Sequence, residues 1–312
     1  MIKLFNIPNH VIDTSKFKNI LHDSIRTEYE QAFAEYVGAK YAVAVTSCTD
    51  AIFLTLKSFE NPLLCQVPSL VTTRFLNAII HAGCKYNIVD DVNWVGNEYT
   101  LYESSGCVII DSAQKVERDQ YKEYWDNDII MFSNYPTKPI GGLRGGVVVS
   151  NNKGRIDWIR QASFFGEKFS VNSWEGKTNF VGWQMFMDSV QAYIAMKNLK
   201  SYQYKRNDLD SIRERYKKGL QKEIVTGDSY HLFRVRVSDN EKCLEYMKQN
   251  GVICGIHYKP IHLDSIYNFG QDKLFRYPES EKDGKEVISI PFNETMDSLQ
   301  VTKVINLINK FE

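Results

Sequence analysis

Lys138 stands in a segment where a primary amine could hold an aldehyde cofactor. Residues 133–138 read Ser-Asn-Tyr-Pro-Thr-Lys, and glycine pairs follow at 141–142 and 145–146. The apolar runs on either side, at 128–132 and 146–149, predict two strands joined by a turn. A lysine amine in such a turn can bind an aldehyde as a Schiff base. The alternative is a surface lysine in a Gly/Pro-rich turn.

Asp111 supplies a carboxylate at the expected end of a strand. It directly follows the apolar run 107–110, which predicts a buried strand. Open α/β sheets bind their ligands at the carboxyl ends of strands. A carboxylate there can pair with a pyridinium nitrogen and keep it protonated, which makes the ring an electron sink. The alternative is a helix N-cap or turn residue.

A polar turn that suits a phosphate group lies earlier in the chain. Residues 41–45 predict a strand, 46–50 read Thr-Ser-Cys-Thr-Asp, and 51–56 predict a helix. Backbone N–H groups at the start of a helix bind anions, and the helix dipole adds to the attraction. Thr49 can add a hydroxyl group. An ordinary N-cap formed by Thr49 or Asp50 is the alternative.

The turn, the carboxylate and the lysine follow one another in the chain, and together they resemble the fold-type-I pyridoxal-phosphate enzymes, specifically the DegT/DnrJ-type sugar aminotransferase family. The matching segments are 33–45, 67–69, 77–78, 111–114, 133–138, 182, 187, 191–192, 231–233 and 255–263. The resemblance implies an α/β fold. It would consist of a large, mainly parallel sheet domain at 1–215, including an N-terminal arm, and a smaller C-terminal α/β domain at 216–312.

The resemblance also implies the cofactor, pyridoxal 5′-phosphate (PLP), and the residues that hold it. Lys138 would bind the cofactor covalently and move protons, and Asp111 would keep the pyridine nitrogen protonated. The other cofactor-binding residues would be Cys48, Thr49, Thr72, Gln114, Ser133 and, from a partner subunit, Gln184 or alternatively Asn179. The substrate-binding residues would be His257, Tyr258 and His262, although either histidine can also be a packed core residue.

Several positions depart from the pattern of the family. Cys48 stands where the family usually has glycine, and Thr72 stands where an aromatic residue stacks on the cofactor, with Phe75 nearby. Gln184 replaces an asparagine that contacts the other subunit, and Phe186 replaces an arginine. The segment before Asp111 is also shorter than usual. None of these departures affects Lys138 or Asp111.

The resemblance implies an aminotransferase that converts a nucleotide-linked keto sugar into an amino sugar, with glutamate as the amino donor. It also implies a homodimer with active sites at the interface. One alternative is a PLP enzyme of the same fold that acts on a non-sugar ketone or a modified nucleotide. Another is a non-catalytic scaffold with a degraded site. Lys138 argues against the dehydratase branch of the family, in which histidine takes that position.

Composition excludes several other classes of protein. Lys plus Arg and Asp plus Glu both total 38, so overall charge gives no argument for nucleic acid or an anionic membrane as a partner. No apolar run approaches the ~20 residues of a membrane span. The six cysteines and six histidines lack metal-ligand spacing, which predicts no metal. Free thiols and the absence of a signal-peptide pattern predict a cytoplasmic protein.

Alternating strands and helices must position these groups. We expect helices at 24–38, 49–59 and 72–82, with strands near 41–45, 64–67, 86–89, 107–110, 129–132 and 146–149. A long or broken helix from about 184 to 221 has the length to link two domains. A strand at 231–237, a helix at 240–250, a strand at 286–291 and a helix at 295–311 predict the smaller domain.

Overall fold

A computed structural model describes residues 1–168, 176–225, 229–267 and 276–312. Its helices are α1 Ile25–Val37, α2 Cys48–Lys57, α3 Thr73–His81, α4 Lys153–Ser163, α5 Ser189–Gly219, α6 Asn240–Gln249, α7 Pro278–Glu286 and α8 Ser298–Lys310. Its strands are β1 Tyr41–Val45, β2 Leu64–Pro68, β3 Lys85–Val89, β4 Tyr99–Ser104, β5 Cys107–Asp111, β6 Ile129–Ser133, β7 Gly146–Ser150, β8 Phe233–Arg236 and β9 Val287–Ile290. The predicted α/β class is confirmed.

The main sheet is mixed, which corrects the prediction of a mainly parallel one. Its five strands run in the order β1-β7-β6-β5-β4, and only the β5–β6 pair is parallel. Short connections explain the difference, because a parallel pair needs a crossover, usually a helix. Two residues join β4 to β5, and the turn that carries Lys138 joins β6 directly to β7. Strands β2 and β3 form a separate parallel pair.

Both faces of the main sheet are covered by helices. Successive residues of β6 show this directly, because Ile129 and Met131 pack on one face, whereas Ile130 and Phe132 pack on the other. Helices α2, α3 and α4 cover the first face, and α1 and α5 cover the second. Strands buried on both faces read as continuous apolar runs, which is why the sequence revealed them.

Helix α5 runs between two hydrophobic cores. It begins at a capping box in which Asp188 and Gln191 bond to each other's backbone, so the helix starts later than predicted. Its first half packs under the main sheet as far as Tyr202, and from Leu209 onward it packs against β8, β9, α6 and α8. Ile2 joins this second core, which ties the N-terminus to it. The predicted domain division at 215/216 stays a prediction.

Candidate active site

One cavity of about 570 Å³ gathers the three elements that the sequence singled out. Its wall includes Cys48 and Thr49 from the start of α2, Asp111 from the end of β5, and Lys138 from the turn after β6. The two neighbouring strands β5 and β6 run parallel, so their carboxyl ends meet at the same edge of the sheet. The cavity therefore lies where an α/β sheet binds a ligand.

The N-cap of α2 lies two residues before Thr49, the earlier of the two N-cap residues that the sequence suggested. The Ser47 side chain accepts the backbone N–H of Asp50 at 3.1 Å, so Ser47 is the N-cap, and Cys48 and Thr49 lie in the first helical turn. The first N–H groups of a helix have no partner within it, which suits an anion. Strand β7 passes close by, because a Cβ on Gly146 would lie 2.5 Å from the carbonyl oxygen of Ser47.

Asp111 is a buried carboxylate with few compensating contacts. It is 3% exposed, and the backbone N–H of Ala113 donates to it at 2.8 Å. Burial raises its pKa to about 6, although the bond from Ala113, the charge of Lys138 and the Tyr99 hydroxyl act in the opposite direction. A cationic ring nitrogen placed beside this carboxylate would stabilise its charged form.

Lys138 points its amine into the same cavity. Its backbone N–H donates to the Tyr135 carbonyl at 2.9 Å and closes the turn, and its Nζ lies 3.2 Å from Nε2 of His231. Burial lowers the pKa of Lys138 to about 8, and the neighbouring Asp111 and Cys48 oppose that effect. A lysine with a lowered pKa supplies more neutral amine at neutral pH, as nucleophilic and proton-transfer chemistry requires.

Gln114, Ser133 and Thr72 line the cavity as well. The Gln114 side chain accepts the backbone N–H of Gly96 at 2.9 Å and donates to the Tyr258 hydroxyl at 3.4 Å, which fixes its position. Ser133 ends β6, and its hydroxyl accepts a backbone N–H two residues later. Thr72 precedes α3 without capping it, so its hydroxyl is not used by the helix end.

Only two of the three predicted substrate-binding residues line the cavity. His257 binds the Ser289 hydroxyl at 2.9 Å through Nδ1, and burial lowers its pKa to about 4, so it is neutral at physiological pH. Tyr258 lies parallel to Trp94, with ring centroids 6.1 Å apart. His262 lies outside the cavity, where it binds Ser69 at 2.6 Å and stacks against a tyrosine ring. The packed-core interpretation therefore fits His262.

The two residues expected to act in a partner subunit also lie outside this cavity. Gln184 is exposed and pairs through its backbone with Phe164. Asn179 is exposed as well, and its side chain donates to Gln161 at 2.8 Å. Both residues therefore lie on the surface of the chain. Their contact with the cofactor of a partner subunit stays a prediction.

Several residues of the cavity wall were not predicted from the sequence. They are Phe5, Arg74, Trp94, Arg144 and His231, together with Phe75, which was noted only as a neighbour of Thr72. Arg144 donates from Nε to the Thr46 carbonyl at 2.9 Å, which places a guanidinium group at the polar turn. In the sequence, the position of Arg144 between the two glycine pairs could have indicated that it belongs to the site. Phe5 and His231 reach the cavity from distant parts of the sequence. No local pattern marks Phe5, and His231 lies in a segment that matches the family but was given no role in the site.

Two further observations concern only the described part of the chain. Within these residues, no group of three or more His, Cys, Asp or Glu side chains is placed to hold a metal ion. No helix among them combines the length and apolar character that crossing a membrane requires.

Comparison with known proteins identifies the family. The sequence model of the DegT/DnrJ/EryC1/StrS aminotransferase family matches residues 6–95 and 103–309. The chain belongs to this family. The unmatched stretch at 96–102 falls in the shortened segment before Asp111, where the chain forms the first part of β4. The family is named for its aminotransferases, which use PLP, and this agrees with the enzyme class and cofactor that the sequence resemblance implied.

Two curated relatives of this chain carry names from amino-sugar or polysaccharide biosynthesis. One is a UDP-4-amino-4,6-dideoxy-N-acetyl-beta-L-altrosamine transaminase of Campylobacter jejuni, 25% identical over 94% of this chain and 92% of the relative. Another is the spore coat polysaccharide biosynthesis protein SpsC of Bacillus subtilis, 25% identical over 90% of this chain and 88% of that protein.

Solved structures share the fold. The aminotransferase TlmJ from Streptoalloteichus hindustanus has a TM-score of 0.82 at 18% identity, covering 99% of this chain and 98% of its own. NtdA from Bacillus subtilis, solved with bound cofactor PMP, has a TM-score of 0.77 at 18% identity, covering 92% of this chain and 77% of its own. The predicted fold-type-I architecture is confirmed.

The residues of the cavity fit PLP on three counts. The buried Asp111 suits a cationic ring nitrogen. Burial raises the pKa of its carboxyl group, and a neighbouring positive charge would favour the ionised form. The helix start at Cys48 and the guanidinium group of Arg144 suit a phosphate. The Lys138 amine lies in the wall of the same cavity, as an aldehyde requires.

Proposed function

We propose that this chain is a PLP-dependent aminotransferase that converts a nucleotide-linked keto sugar into an amino sugar, with glutamate as the amino donor. The observation that carries the proposal is the meeting of Lys138, Asp111 and the polar turn before α2 in one cavity. The family match and the names of its relatives support the sugar substrate.

Each part of the cofactor has residues that suit it. The N–H groups of Cys48 and Thr49 would hold the phosphate, with Ser133 and Arg144 beside them. The Asp111 carboxylate would hold the ring nitrogen in its protonated state. The Gln114 amide would hydrogen-bond the 3-oxygen, because its contacts to Gly96 and Tyr258 hold it at the cavity wall.

When bound, PLP supplies an electron sink that stabilises negative charge on the α-carbon of an amino acid. The chain's task is to move the proton that this stabilisation releases. The Lys138 amine, with its pKa lowered to about 8, would remove the proton from the α-carbon of the amino donor. On the return half of the cycle, the same Nζ would deliver a proton to the carbon that carried the sugar's ketone.

The wall near His257 and Tyr258 suits a sugar linked to a nucleotide. Tyr258 and Trp94 form a parallel aromatic pair, which can pack against an apolar sugar face or a base. Both His257 and the Tyr258 hydroxyl can hydrogen-bond sugar hydroxyl groups. Arg74 is an exposed residue in the cavity wall, and its guanidinium group suits a diphosphate.

A half-reaction tests this function. We expect the protein in its pyridoxamine-phosphate form to regain the colour of the aldehyde form when a nucleotide-linked keto sugar is added, because the amine leaves the cofactor. The measurement is the visible absorbance after each of a panel of ketones is added.

Two controls separate the alternatives. If free keto acids or modified nucleotides restore the colour while nucleotide sugars do not, the sugar assignment fails and the broader aminotransferase assignment stands. Protein that binds no PLP would instead favour the non-catalytic scaffold.

We also infer that the chain acts as a homodimer in the cytoplasm. Val181 and Phe165 are 88% and 43% exposed, and they lie on the same surface segment as Gln184, which favours an interface there. All six cysteines are free thiols, which suits a reducing compartment.

Sedimentation tests the dimer. We expect the protein to sediment as a dimer at assay concentration, and we expect Gln184→Ala to weaken PLP binding if that residue reaches the other subunit's phosphate site. Asn179→Ala is the matched variant for the alternative contact. A fully active monomer would contradict the proposal.

A further inference from the structure

His231 and Lys138 are far apart in sequence and in direct contact in space. Nε2 of the imidazole lies 3.2 Å from Nζ of the lysine, and His231 is only 4% exposed. His231 lies just before β8, in the part of the chain that packs on the second core. The contact therefore joins the C-terminal part of the chain to the amine on which the proposed chemistry depends.

The imidazole is held from several sides. The hydroxyl of Ser229 accepts the backbone N–H groups of His231 and Leu232, at 3.0 and 3.2 Å. The ring of Phe5 stacks on the imidazole at 5.4 Å, with 14° between the planes. The carbonyl of Thr137, the residue before the lysine, also approaches the imidazole. These contacts hold both the backbone and the ring of His231 in place, so the imidazole can orient the flexible side chain of Lys138.

The chemistry of the two groups sets the direction of the hydrogen bond. Burial and the positive charge of Lys138 hold the pKa of His231 well below its usual range, so the imidazole is neutral. A neutral imidazole has one nitrogen that accepts, and a protonated lysine amine can only donate. Nζ of Lys138 therefore donates to Nε2 of His231.

We propose that His231 is a positioning residue that orients the Lys138 amine whenever that amine is free of the cofactor. The inference rests on the proposed function, in which the freed amine must remove a proton from the donor's α-carbon. A lysine side chain has four rotatable bonds and is costly to fix in one orientation. A misplacement of about 1 Å at a reacting group can cost about a hundredfold in rate.

The first test uses the cofactor-free protein and reads the hydrogen bond itself. An accepting nitrogen stabilises the charged amine, so its loss should lower the pKa of Lys138 further. We expect His231→Phe, which keeps an aromatic ring for Phe5, to shift the midpoint of pH-dependent acetylation of Lys138 to lower pH. His231→Gln, which keeps an acceptor, should retain the wild-type midpoint. The other charged or titratable groups facing this pair, unchanged in both variants, are Asp111, Cys48, His257 and Lys205.

The second test uses the loaded enzyme. We expect His231→Phe to lower kcat about a hundredfold with little change in KM, because binding groups are untouched while the amine is misplaced. His231→Gln should recover a large part of that loss. His81→Gln, on the exposed end of α3, is the matched histidine control and should keep wild-type kinetics.

These outcomes separate the inference from the proposed function. An unchanged acetylation midpoint in His231→Phe would overturn the inference, even if activity fell, because only packing would then have been lost. An equal loss of kcat in His231→Gln and His231→Phe would overturn it too. If the protein proves to have no aminotransferase activity, the acetylation experiment still measures the His231–Lys138 bond. If His231→Phe does not fold, a midpoint shared by His231→Gln and the wild type supports the inference, and a shifted one contradicts it.

Discussion

Replacing Lys138 with alanine should abolish turnover and leave the fold in place. The variant loses both the covalent bond to the cofactor and the proton-transferring amine, and we expect a fall of about four orders of magnitude or more. The side chain lines a cavity rather than filling the core, so its loss removes little packing. The measurement is the rate of amine transfer by the purified variant.

A matched lysine variant makes that result specific. Lys153 lies on the exposed side of α4, where its amine pairs with Asp157 of the same helix. Lys153→Ala should therefore retain wild-type turnover and wild-type thermal stability. The Lys138→Ala variant should still bind PLP without a covalent bond, because the phosphate and ring contacts remain. Appreciable turnover in Lys138→Ala would show that another group carries the chemistry.

Replacing Asp111 with asparagine should lower activity by about three orders of magnitude. A neutral amide cannot keep the ring nitrogen protonated, so negative charge developing on the donor's α-carbon loses its electron sink. Asparagine has nearly the shape of aspartate and can still accept the N–H of Ala113. Near-wild-type turnover in this variant would mean that the carboxylate is structural.

The pH dependence of stability provides the control for Asp111→Asn. In the cofactor-free protein, the pKa of Asp111 is raised to about 6, above its unfolded value of roughly 3.9. Below about pH 4 the Asp111 carboxyl is neutral in both states, so its burial does not lower the free energy of unfolding. The lowering grows from about pH 4 to about pH 6 and stays constant at higher pH. Cofactor-free Asp111→Asn should thus be at least as stable as the wild type at pH 7. A marked loss of stability there would point to misfolding rather than lost chemistry.

The parts of the fold that the sequence revealed have strong local patterns. Strands β1, β5, β6 and β7 are apolar on both faces, and the long α5 has no proline or internal glycine over its length. The predicted ends of β5 and β6 put Asp111 and Lys138 at one edge of the sheet, and both residues lie there in the structure. Chain order and residue type were enough for these two groups because the parallel pair β5–β6 sets their common edge.

The parts that were missed depend on pairing across the sheet. Strand β4 buries Tyr99 and Leu101 on alternate positions, but its second half is half-buried or exposed, and it joins β5 through a two-residue hairpin. Through that hairpin, β4 joins the sheet as an antiparallel edge strand beside β5. Helices α4 and α7 were likewise not predicted. The buried residues of α7 are Ser280 and Asp283, so this helix has no apolar face that the sequence could reveal. Helix α4 does bury Ile156, Ile159 and Ala162 at helical spacing, but this pattern was not recognised.

The position of His262 and the cavity residues that were not predicted depend on the three-dimensional path of the chain. His257 and His262 lie five residues apart in one segment, yet only His257 lines the cavity, because the short turn at residues 261–263 directs His262 towards Ser69. Sequence alone gives both histidines the same context. His231 and Phe5 belong to the site only because the C-terminal part of the chain and the N-terminus fold over the main sheet.

Chemical trapping shows whether this cavity holds PLP on Lys138. Purified protein loaded with PLP is reduced with borohydride, digested and analysed by mass spectrometry. We predict a yellow protein whose colour is lost on reduction, with the added mass on the peptide that contains Lys138 and no such label in Lys138→Ala. Label on a peptide with any other lysine, or no fixed label in the wild type, would mean that Lys138 does not hold the cofactor.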